Sequence, residues 1–98
     1  MKVLADFVRQ LTGIISVYKV LLYGSYAKGT WKKDSDIDIA VFIPNEVLIS
    51  HRDIFRKISS LAGSFDYDIQ AQVFSETEYH NPVGIVEEIV VYGLEIKV

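Results

Sequence analysis

Two aspartates separated by one isoleucine sit in the stretch "SDIDIAVFI", residues 35–43. Strict alternation places Asp36, Asp38 and Ala40 on one face of a strand and Ile37, Ile39 and Val41 on the other. Carboxylates at i and i+2 lie roughly 6–7 Å apart, close enough for both to reach one or two divalent ions. Without such a partner they repel each other and raise each other's pKa. A D-x-D pair is ordinarily just the wet face of a strand, but three neighbours point to chemistry. Gly24-Ser25 follows an apolar run and can open a helical turn whose N–H groups and hydroxyl would hold phosphate oxygens. Lys28, Lys32 and Lys33 add cations between that turn and the aspartates, and Asp68 falls on the polar face of a later strand by the same alternation.

Two familiar phosphate loops are excluded. A Walker loop needs Lys directly after its second glycine, where "GSYAKGTW" has Thr30, with the lysine one place early at Lys28. A dinucleotide fingerprint needs a glycine where Tyr26 stands.

The elements that must position these groups can be read from hydrophobic spacing. Leu4, Phe7, Val8, Leu11 and Ile15 recur at helical intervals over 3–16, with Asp6 and Arg9 opposite. "VYKVLLYG", 17–24, is β-branched and aromatic and stops at glycine, as a buried strand does. "SYAKG" fits one helical turn with Ser25 at its start. After the D-x-D strand, ended by Pro44, residues 46–62 place Val47, Ile54, Phe55, Ile58 and Leu61 at near-helical spacing before Gly63. "FDYDIQAQVF", 65–74, alternates again, with Asp66, Asp68, Gln70 and Gln72 opposite Ile69, Ala71 and Val73. Ser75 and Glu78 match a capping box, and Pro82 begins a run that fits a last helix closed near Gly93, although "IVEEIVVY" is β-branched enough to be a strand. The expected class is α/β (α+β), a small mixed sheet with helices packed on one face.

Composition narrows the function. The chain has 98 residues, half of them apolar, with no repeat or linker-like segment, so one domain over 1–98 is expected. A net charge of −3 disfavours general nucleic-acid binding. The lack of cysteine excludes thiol chemistry and suits a cytoplasmic location. No apolar run is long enough to span a bilayer, so no membrane association is expected.

Gly-Ser, ten residues, then Asp-x-Asp between two strands resembles the signature of the nucleotidyltransferase superfamily that includes DNA polymerase beta, and more closely its minimal nucleotidyltransferase (MNT) branch. Gly24, Ser25, Ala27, Gly29, Ser35, Asp36 and Asp38 carry the match, and "DYDIQAQVFSETEYHNP" and "VEEIVVYGLEI" extend it over most of the chain. The resemblance implies a polymerase beta-like palm core and transfer of a nucleoside monophosphate, AMP from ATP, to a hydroxyl with release of pyrophosphate. It implies Asp36, Asp38 and Asp68 as catalytic and metal-binding residues for two Mg²⁺ ions, with Asp68 helping to deprotonate the acceptor. Asp66 shares the parity of Asp68 and is the alternative third carboxylate, but Asp68 directly precedes the apolar alternation and fits the family position better. Gly24, Ser25 and Lys28 are implied as nucleotide-binding residues: Gly24 admits the phosphates, Ser25 bonds the β- or γ-phosphate, and Lys28 lies near the triphosphate. MNT proteins are often paired with HEPN-domain partners in toxin–antitoxin modules. A chain of this length leaves no room for an acceptor-binding domain, so the implied acceptor is a docked protein or oligomer. The implied role is then an antitoxin that adds AMP to a tyrosine of a HEPN-type toxin. The alternative is a non-catalytic antitoxin that neutralises its partner by complex formation.

Other residues invite chemistry less. His51 and His80 have no partner at metal-ligand spacing, and "HRD" at 51–53 lies within an expected helix without the other kinase motifs. Trp31 can stack on a base or pack on the sheet edge, and Tyr26, inside the signature, can touch nucleotide or acceptor. The apolar "IVEEIVVYGLEI" is richer in aliphatics than one small sheet needs and suits a homomeric or partner interface.

Overall fold

The structure, a computed structural model, describes residues 2–29, 36–46 and 51–97. Its central strand is the one that carries the aspartate pair. In β2 (Ile37–Ile43) every residue but Asp38 is fully buried, because apolar side chains emerge on both faces beyond the first turn of the alternation. β1 (Lys19–Tyr23) runs antiparallel to β2 with Tyr23 opposite Asp38, and β3 (Ile69–Ser75) runs parallel to it with Ile37 opposite Ile69. A two-residue strand, β4 (Leu94–Glu95), pairs antiparallel with the outer edge of β1, giving the order β3-β2-β1-β4.

One face receives α1 (Lys2–Thr12) and α3 (His51–Gly63): Leu4, Phe7, Val8 and Leu11, with Ile58 and Ala62, close over Val20, Ile37, Ile39, Val41 and Ile43. That is the expected helical layer. Each of these side chains larger than alanine contributes about 1.5–3 kcal/mol by leaving water, which makes this the main core. The other face, the one that carries Asp38, is not left open along its whole length. α4 (Glu76–His80) and α5 (Ile85–Tyr92) cover its far part, where Val86 and Ile89 bury Leu21, Ala40 and Phe42. Phe42 lies 5.4 Å from the Phe74 ring and 5.2 Å from that of Tyr79, centroid to centroid.

Boundaries differ from the spacing-based reading where local chemistry intervenes. α1 stops at Thr12 rather than 16, as Gly13 bonds back to the Gln10 carbonyl and Ile14 and Ile15 share that of Leu11. α3 begins at His51; Val47 lies outside the described residues, and Phe55, expected inside, is 48% exposed. The alternation of β3 does not extend back to 65: the Ile69 N–H turns back onto the Tyr67 carbonyl, so the strand begins at Ile69. The last helical region divides. Ser75 and Glu78 form the expected capping box for α4, and α5 starts only after Gly84 at φ 64°. "IVEEIVVY" is thus helical. No sequence pattern signals β4; the chain leaves α5 so tightly at Gly93 that a Cβ there would strike the Ile89 carbonyl. Val83, Ile85, Val91, Tyr92 and Leu94 remain exposed around α5, and among the described residues no helix is long and apolar enough to cross a membrane.

Candidate active site

Strand pairing brings together residues that the sequence keeps apart. Where β1 ends, opposite Asp38, Gly24 takes φ 71° and turns the chain directly into α2 (Gly24–Lys28). Only glycine fits there: the φ lies in the left-handed region, and a Cβ would collide with the Asp38 carboxylate. Gly24 and Asp38 are therefore in contact. The helix starts at Gly24, one residue before the expected Ser25, and Ser25 is not its cap; Tyr23 occupies that position with no side-chain bond. Ser25 is half-buried and Lys28 exposed, and neither side chain has a hydrogen-bond or ion partner among the described residues.

The third carboxylate arrives through the parallel pair. The Ile37 N–H donates to the Asp68 carbonyl at 2.8 Å, the first rung of the β2–β3 ladder, which seats Asp68 beside Asp36. A hydrogen bond between the Asp36 and Asp68 side chains and the Asp68 charge hold the Asp36 carboxyl above the usual carboxylate range. Asp38 is also raised, first by partial burial and then by the Asp68 charge. Burial and the charge of Asp38 push Tyr23 upward too. Asp66 lies elsewhere, on a groove it shares with Lys2 and Asp6 at the start of α1, because the chain bends before β3 begins.

Some participants carry no sequence signal of their own. Gln70 Nε2 donates to Asp68 Oδ1 at 2.6 Å and fixes that carboxylate; the alternation marked it only as polar. Tyr23, at the junction of strand and turn, was indistinguishable from a core tyrosine until its register with Asp38 was known. Tyr26 packs against the α1–α3 core. His80 accepts or shares a hydrogen bond with the Tyr18 hydroxyl, 2.8 Å from Nε2, at the other end of β1. Lys32, Lys33, Trp31 and Ser35 lie outside the described residues.

Asp36 and Asp38, both with raised proton affinity, and Asp68 beside Asp36 form a hard oxygen donor set suited to Mg²⁺. Among the described residues no three acidic or imidazole side chains surround a single point.

The family profile described as "Nucleotidyltransferase domain" matches residues 1–92. A protein of Methanocaldococcus jannaschii, provisionally named a protein adenylyltransferase, is 25% identical over 99 residues, covering 97% of this chain and 96% of that protein. The fold is similar to the crystal structure of a provisionally assigned nucleotidyltransferase from Sulfolobus solfataricus, with TM-score 0.70 and 19% identity over 96% of this chain and 76% of that one. It is also similar to a chain of a toxin–antitoxin crystal structure with AMP-PNP, with TM-score 0.60 and 22% identity over 92% and 69% of the two chains. With residues 1–92 matched and the signature carboxylates gathered on one end of the sheet, this chain belongs to the nucleotidyltransferase domain family of the polymerase beta-like superfamily and is a nucleotidyltransferase.

Proposed function

We propose that the chain transfers AMP from ATP to a tyrosine hydroxyl of a HEPN-type partner toxin and so acts as its antitoxin. The convergence of Asp36, Asp38 and Asp68 beside the Gly24 turn carries this reading. The name of the Methanocaldococcus relative supports a protein acceptor and an adenylyl group, and the toxin–antitoxin neighbour with AMP-PNP supports the partner and the nucleotide.

In this reading Gly24 leaves space for the triphosphate against the backbone, the Ser25 hydroxyl bonds a β- or γ-phosphate oxygen, and the Lys28 ammonium offsets phosphate charge. Asp36, Asp38 and Asp68 would hold two Mg²⁺ ions, which neutralise the triphosphate and the leaving pyrophosphate when bound. The acceptor oxygen attacks the α-phosphorus; the new O–P bond forms as the bond to the β-phosphate oxygen breaks. The hydroxyl proton passes to the Asp68 carboxylate, whose orientation Gln70 holds through Oδ1. Oxygen ligands packed this closely are mutually repulsive in the resting protein, so binding of cations relieves strain that the fold imposes.

The test is to incubate the protein, a HEPN-type partner, Mg²⁺ and α-labelled ATP and to follow label onto the partner. Transfer by wild type and none by Asp36→Asn/Asp38→Asn is expected. Equal labelling by both proteins would end the catalytic reading. Tight complex formation without transfer from any NTP would replace it with neutralisation by binding alone.

A further inference from the structure

A cavity of about 190 Å³ opens between α2 and α5. Its floor and walls are Tyr23, Ala27, Ile85, Ile89 and Tyr92, and two charged side chains, Lys28 and Glu88, stand at its edge. Gly24 also borders it, so the cavity continues the proposed phosphate turn without a break. Tyr23 forms one wall; it stands opposite Asp38 in the β1–β2 register and packs with Leu21, Ala40 and Phe42, which places the opening on the carboxylate side of the sheet. The volume is below the roughly 300 Å³ at which pockets house whole drug-sized ligands, so this one suits a single ring system attached to something held outside it. Aromatic and aliphatic walls with charged groups confined to the edge suit a flat heterocycle that stacks and is read at its rim, with Lys28 on the phosphate side and Glu88 on α5.

We infer that the cleft between α2 and α5 is the nucleobase pocket and that Glu88 reads an exocyclic amino group on the base. The inference rests on the nucleotidyltransferase reading above, since a base reaches the cleft only if its triphosphate lies at Gly24 and Lys28. The Glu88 side chain has no hydrogen-bond or ion partner among the described residues, so its carboxylate is available as an acceptor. It accepts from the amino group of adenine, whereas the carbonyl at the same position of hypoxanthine presents a lone pair to it and is repelled. The pocket thus selects for the amino-bearing base through a charge-assisted hydrogen bond and for any base over none through its apolar walls.

Direct binding of Mg-ATP, Mg-ITP and Mg-tripolyphosphate to the full chain separates these contributions. Wild type is expected to bind ATP about tenfold more tightly than ITP, the usual scale of one hydrogen bond to a charged group, and ATP more tightly than tripolyphosphate. Glu88→Ala should erase the ATP preference over ITP. Ile85→Trp, which fills the cavity from a position 59% exposed, should bring ATP down to the affinity of tripolyphosphate and leave tripolyphosphate itself unchanged. If Ile85→Trp and Glu88→Ala bind all three ligands as wild type does, the base lies elsewhere, and the cleft inference fails while the phosphate site stands. If wild type binds neither ATP nor tripolyphosphate, the nucleotide-site reading fails and the inference with it.

Discussion

Gly24 joins fold and site in one residue, so Gly24→Ala separates their contributions. Two costs follow from the structure. A Cβ at φ 71° meets the steric penalty of the left-handed region, about 1–2 kcal/mol. It also collides with the Asp38 carboxylate, which must rotate away. Gly29→Ala supplies a matched reference, because Gly29 has φ 74° but nothing within 4 Å of its added Cβ. Urea unfolding should therefore show a loss of about 1–2 kcal/mol in Gly29→Ala and at least that in Gly24→Ala, each kcal/mol lowering Tm by about 4–8 °C in a domain of this size. The functional effect should diverge from the stability effect. Displacing Asp38 by about 1 Å should cost transfer of label from ATP on the order of 100-fold, at temperatures where Gly24→Ala is still folded. A folded Gly24→Ala that transfers at the wild-type rate would refute the argument, since Asp38 would then be neither displaced by the Cβ nor needed in its present position.

Three further outcomes follow. Asp36 and Asp38 titrate above the ordinary aspartate value of 3.8, so the folded state binds their protons more tightly than the unfolded chain does. Their charge therefore costs stability as pH rises from 3.8 through the raised folded values, and the cost is complete above them. Without Mg²⁺, Asp38→Asn should match wild type in Tm below that window and exceed it above, while abolishing transfer; a lower Tm at neutral pH would contradict the argument that burial and the Asp68 charge make the Asp38 carboxylate costly. Phe42→Ala should cost about 3–5 kcal/mol in urea unfolding, because the ring is fully buried and packed on Phe74 and Tyr79. Ser75→Ala removes the Oγ that accepts from the Glu78 N–H at 3.1 Å, and should cost about 1 kcal/mol with faster amide exchange in α4.

The sequence by itself determined what depends on near neighbours in the chain. Alternation in "SDIDIAVFI" put Ile37, Ile39 and Val41 inside and Asp38 on the other face; Ser75 and Glu78, three apart, made the cap of α4; and the spacing of Leu4, Phe7, Val8 and Leu11 oriented α1. Each of these is a short-range periodicity or a local hydrogen bond. Tertiary structure alone decided what depends on register. The parity that made Asp66 and Asp68 equivalent ends where the Tyr67 carbonyl takes the Ile69 N–H, and only the β2–β3 ladder sets Asp68 beside Asp36. Likewise β4 exists because Gly93 lets the chain pass close to Leu22, and the cleft lined by Ile85, Glu88 and Tyr92 exists because α5 packs back over β1 next to Gly24. Those contacts join residues tens of positions apart, and a strand paired one residue out of step would send every side chain to the opposite face. The residue types for the chemistry are legible in the chain; which of them meet is a property of the assembled sheet.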